Sequence, residues 1–519
     1  MPTPDRHQEK ASSNYLLMVL AAAVCALAPL YWIDGARTLR PSRVLGPLGL
    51  PAPSVPEHAL ALAPAAVTRP GQTAAAVSPP PPQAASEPQR AAAPSPIGLE
   101  PAQAPTGQTA PQEQLAQAHR PETATSAAGK SSAASASPSP ARTVPALLPI
   151  EGAEHLKGFY SALAKGERSG ERGGPVRVLH YGDSTLAGDG VAKTVRQRMK
   201  AQFGDGGPGF VVAGMDPRWM RRDDVRVSRS GEWEVFTILN GGNQGRYGLG
   251  GIAAKAQGVA QVQIAPAKSG QALGQRLEVF AQKSRRPEAL RLQINGASTA
   301  LRRIEHAQFE QWVVDSESGI VSTSLQVAEN GLEVYGLVLE AQSGITWETT
   351  AVVGIASGSI RQFNADHLAD QTRVRRPDLI VVMLGGNDTG NGNILAGDGK
   401  GYRDNFIKAV QVLRQGAPQA ACLIMSPLDQ GTLGDDGRIY SKQTLPRMVA
   451  LQRLASRDMG CAFWNSWEFM GGQNSFARWL DQGLAWTDLM HLTEKGLSRV
   501  GQGLSDALLH GYEQHRRGP

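Results

Sequence analysis

The sequence has little cysteine, few aromatic residues and no block of charge of one sign. Only 3 of its 519 residues are Cys, which excludes a disulfide-rich scaffold and a zinc site built on several Cys ligands. Cys422 and Cys461 each open a predicted strand. They are either two buried thiols or, in an oxidising compartment, a disulfide between neighbouring strands. The net charge of +6 is modest for this length and no basic cluster is present, so we expect no nucleic-acid partner.

Aromatic residues are absent from a long N-terminal stretch. Residues 51–150 contain no Phe, Trp or Tyr and are dominated by Ala and Pro. Such a stretch buries too little apolar surface to offset the chain entropy lost on folding. We therefore predict a disordered linker over residues 34–150 and a folded part over residues 151–519.

An uncharged apolar run precedes this linker. As a helix rising about 1.5 Å per residue, residues 15–33 would extend roughly 28 Å, close to the thickness of the hydrocarbon core of a bilayer. We predict a transmembrane anchor over 15–33 after an N-terminal tail over 1–14; a cleaved signal peptide is the alternative. By the positive-inside rule, the charges that flank this run slightly favour a folded part on the cytoplasmic side. We nevertheless expect the folded part outside the cytoplasm, because a long linker suits a tether that holds a domain away from a membrane.

Strands and helices alternate along most of the folded part. An apolar strand over 176–181 precedes a helix, and the pattern repeats after residue 350 with strands near 350–353, 379–384, 422–425 and 461–464. Such alternation predicts a parallel sheet with helices on both faces, a three-layer α/β/α fold. We assign residues 151–214 and 350–519 to this domain.

The periodicity changes to two between these segments. Seven short runs bounded by Gly, Asn or Ser indicate an all-β sandwich of the jelly-roll kind, inserted over residues 215–349. The runs are 234–238, 259–264, 276–280, 289–294, 309–314, 321–327 and 332–339.

Motifs suited to catalysis follow three predicted strands and precede the last helix. In open α/β sheets, ligands bind outside the carboxyl ends of the strands, and in a sheet of order 2-1-3-4-5 the first three strand ends are neighbours. The motifs are Gly182-Asp183-Ser184, the segment 354–358, Gly385-Gly386-Asn387-Asp388, and Asp488-Leu489-Met490-His491.

These residue types suit acyl transfer. A serine hydroxyl needs a general base, so Ser184 is the predicted nucleophile, His491 the base, and Asp488 the carboxylate that orients the imidazole. The oxyanion needs preorganised donors, for which we predict the backbone N–H groups of Ser184 and Gly358 and the side-chain amide of Asn387. Gly354 is the alternative to Gly358. This chemistry requires neither a metal nor a cofactor.

The motif set resembles the SGNH (GDSL-type) hydrolase family. Ser184, Gly358, Asn387 and His491 match the family's nucleophile, two oxyanion-hole residues and base. The inserted β segment, together with Gly-rich residues 203–210, is similar to bacterial envelope O-acetylesterases that act on peptidoglycan and carry a carbohydrate-binding-like jelly roll. The resemblance implies a serine esterase anchored in the inner membrane, with its catalytic domain in the periplasm and a polysaccharide as its substrate. An O-acyltransferase and a non-catalytic glycan-binding protein are the alternatives.

Several other side chains lie near the motifs or in the predicted core. We expect the carboxylates of Asp183 and Asp388 to brace their loops. Trp486 either stacks on a sugar ring or packs at the rim of the core, whereas His180 is expected to be a core histidine. Five further tryptophans are interpreted as core residues (Trp464, Trp467) or as core or glycan-platform residues of the β module (Trp233, Trp312, Trp347).

Overall fold

The computed structural model of the chain describes residues 147–168, 173–216, 222–305 and 309–518. The predicted tail over 1–14, the predicted anchor over 15–33 and most of the predicted linker over 34–150 lie outside these residues. Within the described part of the chain, no helix is both long enough and apolar enough to cross a bilayer.

A five-stranded parallel sheet forms the centre of the fold. Numbered along the chain, its strands have the order 2-1-3-4-5, as predicted from the motif positions. Alternate residues point to opposite faces, so Val178 and Val381 enter one hydrophobic core while Leu179 and Val382 enter the other. Across the sheet, the strands are Ile345–Ala351, Val176–Gly182, Leu379–Met383, Ala421–Met425 and Ala462–Trp464.

Helices cover both faces of this sheet, which confirms the three-layer arrangement. On one face lie Lys157–Glu167, Gly190–Phe203 and Glu494–Arg517. On the other lie Ala365–Arg375, Lys400–Arg414 and Leu445–Asp458. The last helix begins at Glu494, because the Thr493 side chain accepts a hydrogen bond from the Gly496 N–H. Short helical segments complete the set: Ala153–Leu156, Ser184–Ala187, Asn243–Gly245, Pro287–Ala289, Ser357–Gln362, Gly386–Asp388, Gly392–Ile394, Ser466–Phe469 and Ser475–Asp481.

The second strand of the parallel sheet differs from the prediction. It runs over Ile345–Ala351 rather than near 350–353, so the boundary predicted after residue 349 falls inside this strand. The shift has a physical cause: Thr346, Glu348 and Thr350 are polar yet buried, which hides the strand from a search for apolar runs. Trp347 consequently belongs to the parallel sheet and not to the β segment.

Two antiparallel sheets, whose strands lie along the chain between the first two parallel strands, share one hydrophobic core. All seven predicted β runs overlap strands of these sheets. The larger sheet contains Arg302–Glu305, Glu310–Ile320, Gly274–Ala281, Glu333–Glu340, Ile252–Ala256 and Trp233–Thr237, with Gly209–Val211 added beside Glu333–Glu340. The smaller contains Val225–Ser230, Ala260–Pro266, Thr323–Val327, Leu290–Ile294 and Ala297–Thr299.

A buried ionic network, which we call the Arg375 network, joins the sandwich to the parallel sheet. Arg375 donates to Glu340 of the sandwich at 2.6 Å and to Glu348 of the parallel sheet at 2.9 Å. Arg177 donates to both carboxylate oxygens of Glu340, at 2.8 and 2.7 Å. Arg375, Glu340 and Glu348 have side chains no more than 1% exposed, so their charges are compensated by one another and by Arg177.

The structure resolves one alternative that the sequence left open, the disulfide, and contains a small hairpin that was not predicted. Cys422 and Cys461 form a disulfide across neighbouring parallel strands, with their Cα atoms 4.7 Å apart. A two-stranded hairpin, Gly431–Leu433 with Ile439–Ser441, follows the fourth parallel strand.

Candidate active site

Ser184 lies at a sharp turn between the first parallel strand and a short helix. Asp183 caps this helix by accepting the Thr185 N–H at 2.9 Å, and Ser184 is its first residue. At Gly182 an added Cβ would lie 2.4 Å from the Leu186 side chain and 3.1 Å from the Met383 carbonyl oxygen. The turn therefore requires glycine at that position, and it presents the serine at the carboxyl end of the strand.

The structure connects Ser184, His491 and Asp488 by hydrogen bonds. Ser184 Oγ lies 3.0 Å from His491 Nε2, and His491 Nδ1 lies 2.7 Å from Asp488 Oδ2. Asp488 Oδ1 accepts the backbone N–H groups of Met490 and His491, both at 2.9 Å. Each end of the imidazole thus has one partner, an arrangement that fixes its orientation and its tautomer.

The turn that carries Asp488 and His491 contains a strained residue. Leu489 has a φ of 60°, a left-handed conformation that costs a branched residue about 1–2 kcal/mol. Its carbonyl accepts the Gly431 N–H of the hairpin at 2.8 Å, and its side chain packs against the core. The backbone N–H of Trp486 donates to the His491 carbonyl at 2.8 Å. Packing and these bonds hold the turn in place.

Asp488 and His491 shift each other's pKa. Burial alone would raise the pKa of Asp488, but hydrogen bonds from the His491 ring and from two backbone N–H groups outweigh it and bring the pKa to about 2. The hydrogen bond to Asp488 raises the pKa of His491, and partial burial opposes this. The two side chains are 48% and 39% exposed, so the pair is open to solvent.

The three strand-end loops are fastened to one another. Asp388 accepts both the Ser357 N–H, at 3.0 Å, and the Ser357 hydroxyl, at 2.7 Å, which ties the third loop to the second. An added Cβ at Gly386 would lie 2.8 Å from Asp183 Oδ2, so the third loop also packs closely on the first. The bracing expected of Asp183 and Asp388 is confirmed by these bonds.

The predicted oxyanion residues lie in these fastened loops. Asn387 Nδ2 donates to the Ile355 carbonyl at 3.0 Å and lies 3.5 Å from Asp183 Oδ2. Gly358 follows Ser357 in the short helix Ser357–Gln362, and an added Cβ there would meet no atom within 4 Å. Gly354, the alternative, is an exposed turn residue with a φ of 84°.

Two polar residues beside the third loop escaped the sequence analysis. Gln430 Nε2 donates to the Gly386 carbonyl at 3.0 Å. Lys442 Nζ donates to Gln430 Oε1 at 2.8 Å and to Thr389 Oγ1 at 3.2 Å. Gln430 and Lys442 flank the hairpin and belong to no motif, so only the folded chain brings them to this loop.

The remaining candidates divide by burial. His180 is buried and its Nδ1 accepts the Trp347 indole N–H at 3.2 Å; burial lowers its pKa to about 3, as befits a core histidine.

Trp464 is buried, and the half-buried Trp467 donates to Asp429 at 3.1 Å. Trp486 is 37% exposed. In the β segment Trp312 is buried, which excludes it as a glycan platform, and Trp233 is half-buried.

Comparison with known proteins finds a family match over part of the chain. Residues 318–498 match the GDSL-like lipase/acylhydrolase family. That stretch contains Gly358, Asn387, Asp488 and His491, while Ser184 precedes it. No curated protein matches the chain.

Solved structures give matches of very different quality. The structure of a peptidoglycan O-acetylesterase matches at 25% identity and a TM-score of 0.58, over 70% of this chain and 98% of its own. A family two carbohydrate esterase from Cellvibrio japonicus matches at 11% identity and a TM-score of 0.24, over 56% of this chain and 98% of its own, and no argument rests on it. The family match and the O-acetylesterase structure support an esterase with a GDSL-like acylhydrolase domain that resembles the SGNH O-acetylesterases.

Proposed function

We propose that this esterase removes O-acetyl groups from a cell-envelope polysaccharide, with peptidoglycan as the first candidate. The observation that carries the proposal is the hydrogen-bonded chain of Ser184, His491 and Asp488 at the carboxyl end of a parallel sheet. The matching structure of a peptidoglycan O-acetylesterase supports this choice of substrate.

In the proposed first half-reaction Ser184 Oγ attacks the acetyl carbonyl carbon. His491 Nε2 takes the hydroxyl proton as the new C–O bond forms. When the tetrahedral intermediate collapses, the bond to the sugar oxygen breaks and His491 returns the proton to that oxygen. Asp488 keeps the imidazole oriented and stabilises its transient positive charge.

Three donors are proposed to stabilise the negative charge that develops on the acetyl oxygen. They are the backbone N–H groups of Ser184 and Gly358 and one N–H of the Asn387 amide. The Asn387 amide donates to the Ile355 carbonyl at 3.0 Å and, at 3.5 Å, to Asp183 Oδ2, so the proposed contact with the oxyanion replaces the longer of these two bonds. Loss of one such donor typically costs about 10²–10³ in kcat.

In the second half-reaction water attacks the acetyl-enzyme, His491 accepts a proton from it, and acetate leaves as Ser184 Oγ regains its proton. The imidazole is 39% exposed, so water reaches it readily. This exposure favours hydrolysis over transfer to a sugar hydroxyl, since transfer requires that water be excluded. Analysis of products with and without an acceptor glycan separates the two reactions.

The test is acetate release from O-acetylated peptidoglycan by the full chain in detergent. Ser184→Ala and His491→Ala are expected to abolish release, and also turnover of an aryl acetate, while the melting temperature stays unchanged. The exposed residues Ser318 and His155 supply matched controls, Ser318→Ala and His155→Ala, which should keep full activity. Undiminished turnover by Ser184→Ala would contradict the proposed mechanism. Activity on the aryl acetate but not on peptidoglycan would contradict the proposed substrate.

We also propose that a membrane helix over residues 15–33 anchors the enzyme, with its folded part outside the cytoplasm. The Cys422–Cys461 disulfide supports this location, since such bonds persist in oxidising compartments and are rare in the cytosol. Mass spectrometry after thiol alkylation of cells should find both cysteines unmodified. Alkylated cysteines in the cellular protein would contradict the location.

The extent of the structural match supports an inserted β module, whose strands run from Gly209–Val211 to Glu333–Glu340. Coverage of 70% of this chain is larger than the share that the parallel-sheet segments alone supply. We propose that the sandwich is an inserted module that shares in holding the glycan. A sandwich variant that loses glycan binding but keeps aryl acetate turnover would bear this out.

A further inference from the structure

A half-buried lysine lies beside the loop that carries Asn387. Lys442 follows the hairpin strand Ile439–Ser441, and its ammonium donates to Gln430 Oε1 at 2.8 Å and to Thr389 Oγ1 at 3.2 Å. Thr389 belongs to the same loop as Asn387. Asp488 raises the pKa of His491, and the Lys442 charge is close enough to that histidine to oppose this rise in small part.

The positive charge of Lys442 has no carboxylate partner among the residues that the structure describes. Both of its acceptors are neutral oxygens, and burial lowers its pKa. Partial burial of an unpaired ammonium costs free energy, which a purely structural role does not recover. The loop does not need this charge as a brace, because Gln430 by itself holds the Gly386 carbonyl at 3.0 Å.

The ammonium also retains a donor. It carries three N–H groups, and two of them are used by Gln430 and Thr389. One N–H and the full positive charge remain for a ligand at the candidate site. A monoanion that accepts one charge-assisted hydrogen bond, such as a carboxylate, fits this remainder.

We propose that Lys442 is a specificity-determining residue that binds a carboxylate of the substrate beside the ester under attack. The preferred polysaccharide is accordingly acidic, with the carboxylate close to the acetylated position. The inference rests on the proposed esterase function and names the substrate class of the same site.

The experiment compares two mono-O-acetylated methyl glycosides of the same stereochemistry, a glucoside and a glucuronide acetylated at the same hydroxyl. The measured quantity is the ratio of kcat/KM for the glucuronide to kcat/KM for the glucoside, with the full chain in detergent. The wild type should favour the glucuronide. Lys442→Met should lower the ratio by about tenfold or more, Lys442→Arg should keep most of it, and Lys157→Met, at an exposed lysine, should leave it unchanged.

Competition gives a second measurement that needs no variant. Glucuronate should inhibit the wild type more strongly than glucose. Equal inhibition, a wild-type ratio near one, or an unchanged ratio in Lys442→Met would each overturn the inference while leaving the esterase intact. A wild type that hydrolyses neither glycoside overturns the proposed substrate class as well, and the aryl acetate assay then shows whether esterase activity survives.

Discussion

Two hydrogen-bonded clusters of charged side chains have similar bonds and opposite surroundings. Asp488 and His491 are 48% and 39% exposed on a turn, whereas Arg375, Glu340 and Glu348 are at most 1% exposed between two sheets. In the exposed cluster a proton can move and a substrate can approach. In the Arg375 network no substrate can reach the charged groups and no proton can leave them, so these charges contribute to folding rather than to catalysis. Accessibility, more than pairing, distinguishes the two.

The largest expected effect lies in the exposed cluster. Asp488→Asn keeps the size of the side chain but favours the wrong tautomer of His491, so kcat on an aryl acetate should fall by about 10⁴-fold. The melting temperature should change little. A loss of less than tenfold would mean that Asp488 does not orient the base, and a large fall in melting temperature would place Asp488 among the structural residues.

The Arg375 network should respond in the opposite way. Arg375→Met leaves the buried Glu348 without its cation and Glu340 with Arg177 alone, which should lower the free energy of unfolding by about 3–5 kcal/mol. Below the melting transition, kcat should remain close to wild type. Denaturant unfolding and aryl acetate kinetics measure both quantities on one sample.

Arg373→Met on the same helix is the matched control, because that side chain is 60% exposed, and it should leave the unfolding midpoint in place. If Arg375→Met and Arg373→Met unfolded at the same denaturant concentration, the buried network would not stabilise the junction.

The pH should separate the two clusters. His491 must be neutral to act as a base, and its pKa is raised above the ordinary 6.5, so activity should fall as the pH drops through that raised value. Burial alone would raise the pKa of Glu340, but Arg375 and Arg177 outweigh it and bring the pKa to about 2. A carboxyl whose pKa is lowered by folding stabilises the fold fully at a pH above its unfolded-state pKa, and this contribution is lost as the pH falls from there through about 2.

Between these limits the enzyme should be folded and inactive, and activity should return when the pH is raised. Circular dichroism and kinetics over the same pH range check this. Unfolding that coincides with the loss of activity would show that the exposed pair and the fold titrate together.

The same contrast explains which features the sequence could predict. Three motifs follow parallel strands and the fourth precedes the last helix, so local patterns could predict that they converge; Ser184 and His491 lie 3.0 Å apart. The strand Ile345–Ala351 was predicted a few residues too far along the chain. Its buried Thr346 and Glu348 accept hydrogen bonds from Arg375, a residue distant in sequence, which no local pattern reveals. The contacts of Lys442 and the positive φ of Leu489 depend on the hairpin, whose short strands carry little alternation.

The smallest expected effect concerns Trp486, an exposed ring close to His491. Its backbone N–H, which holds the His491 carbonyl at 2.8 Å, survives any side-chain substitution, so Trp486→Ala should leave the melting temperature and turnover of ethyl acetate unchanged. If the ring stacks on a sugar, KM for an O-acetylated polysaccharide should rise by about two- to tenfold. Trp464→Ala, at a buried ring, should instead lower stability by about 3–5 kcal/mol. An unchanged KM together with a lowered melting temperature for Trp486→Ala would assign that ring to the rim of the core.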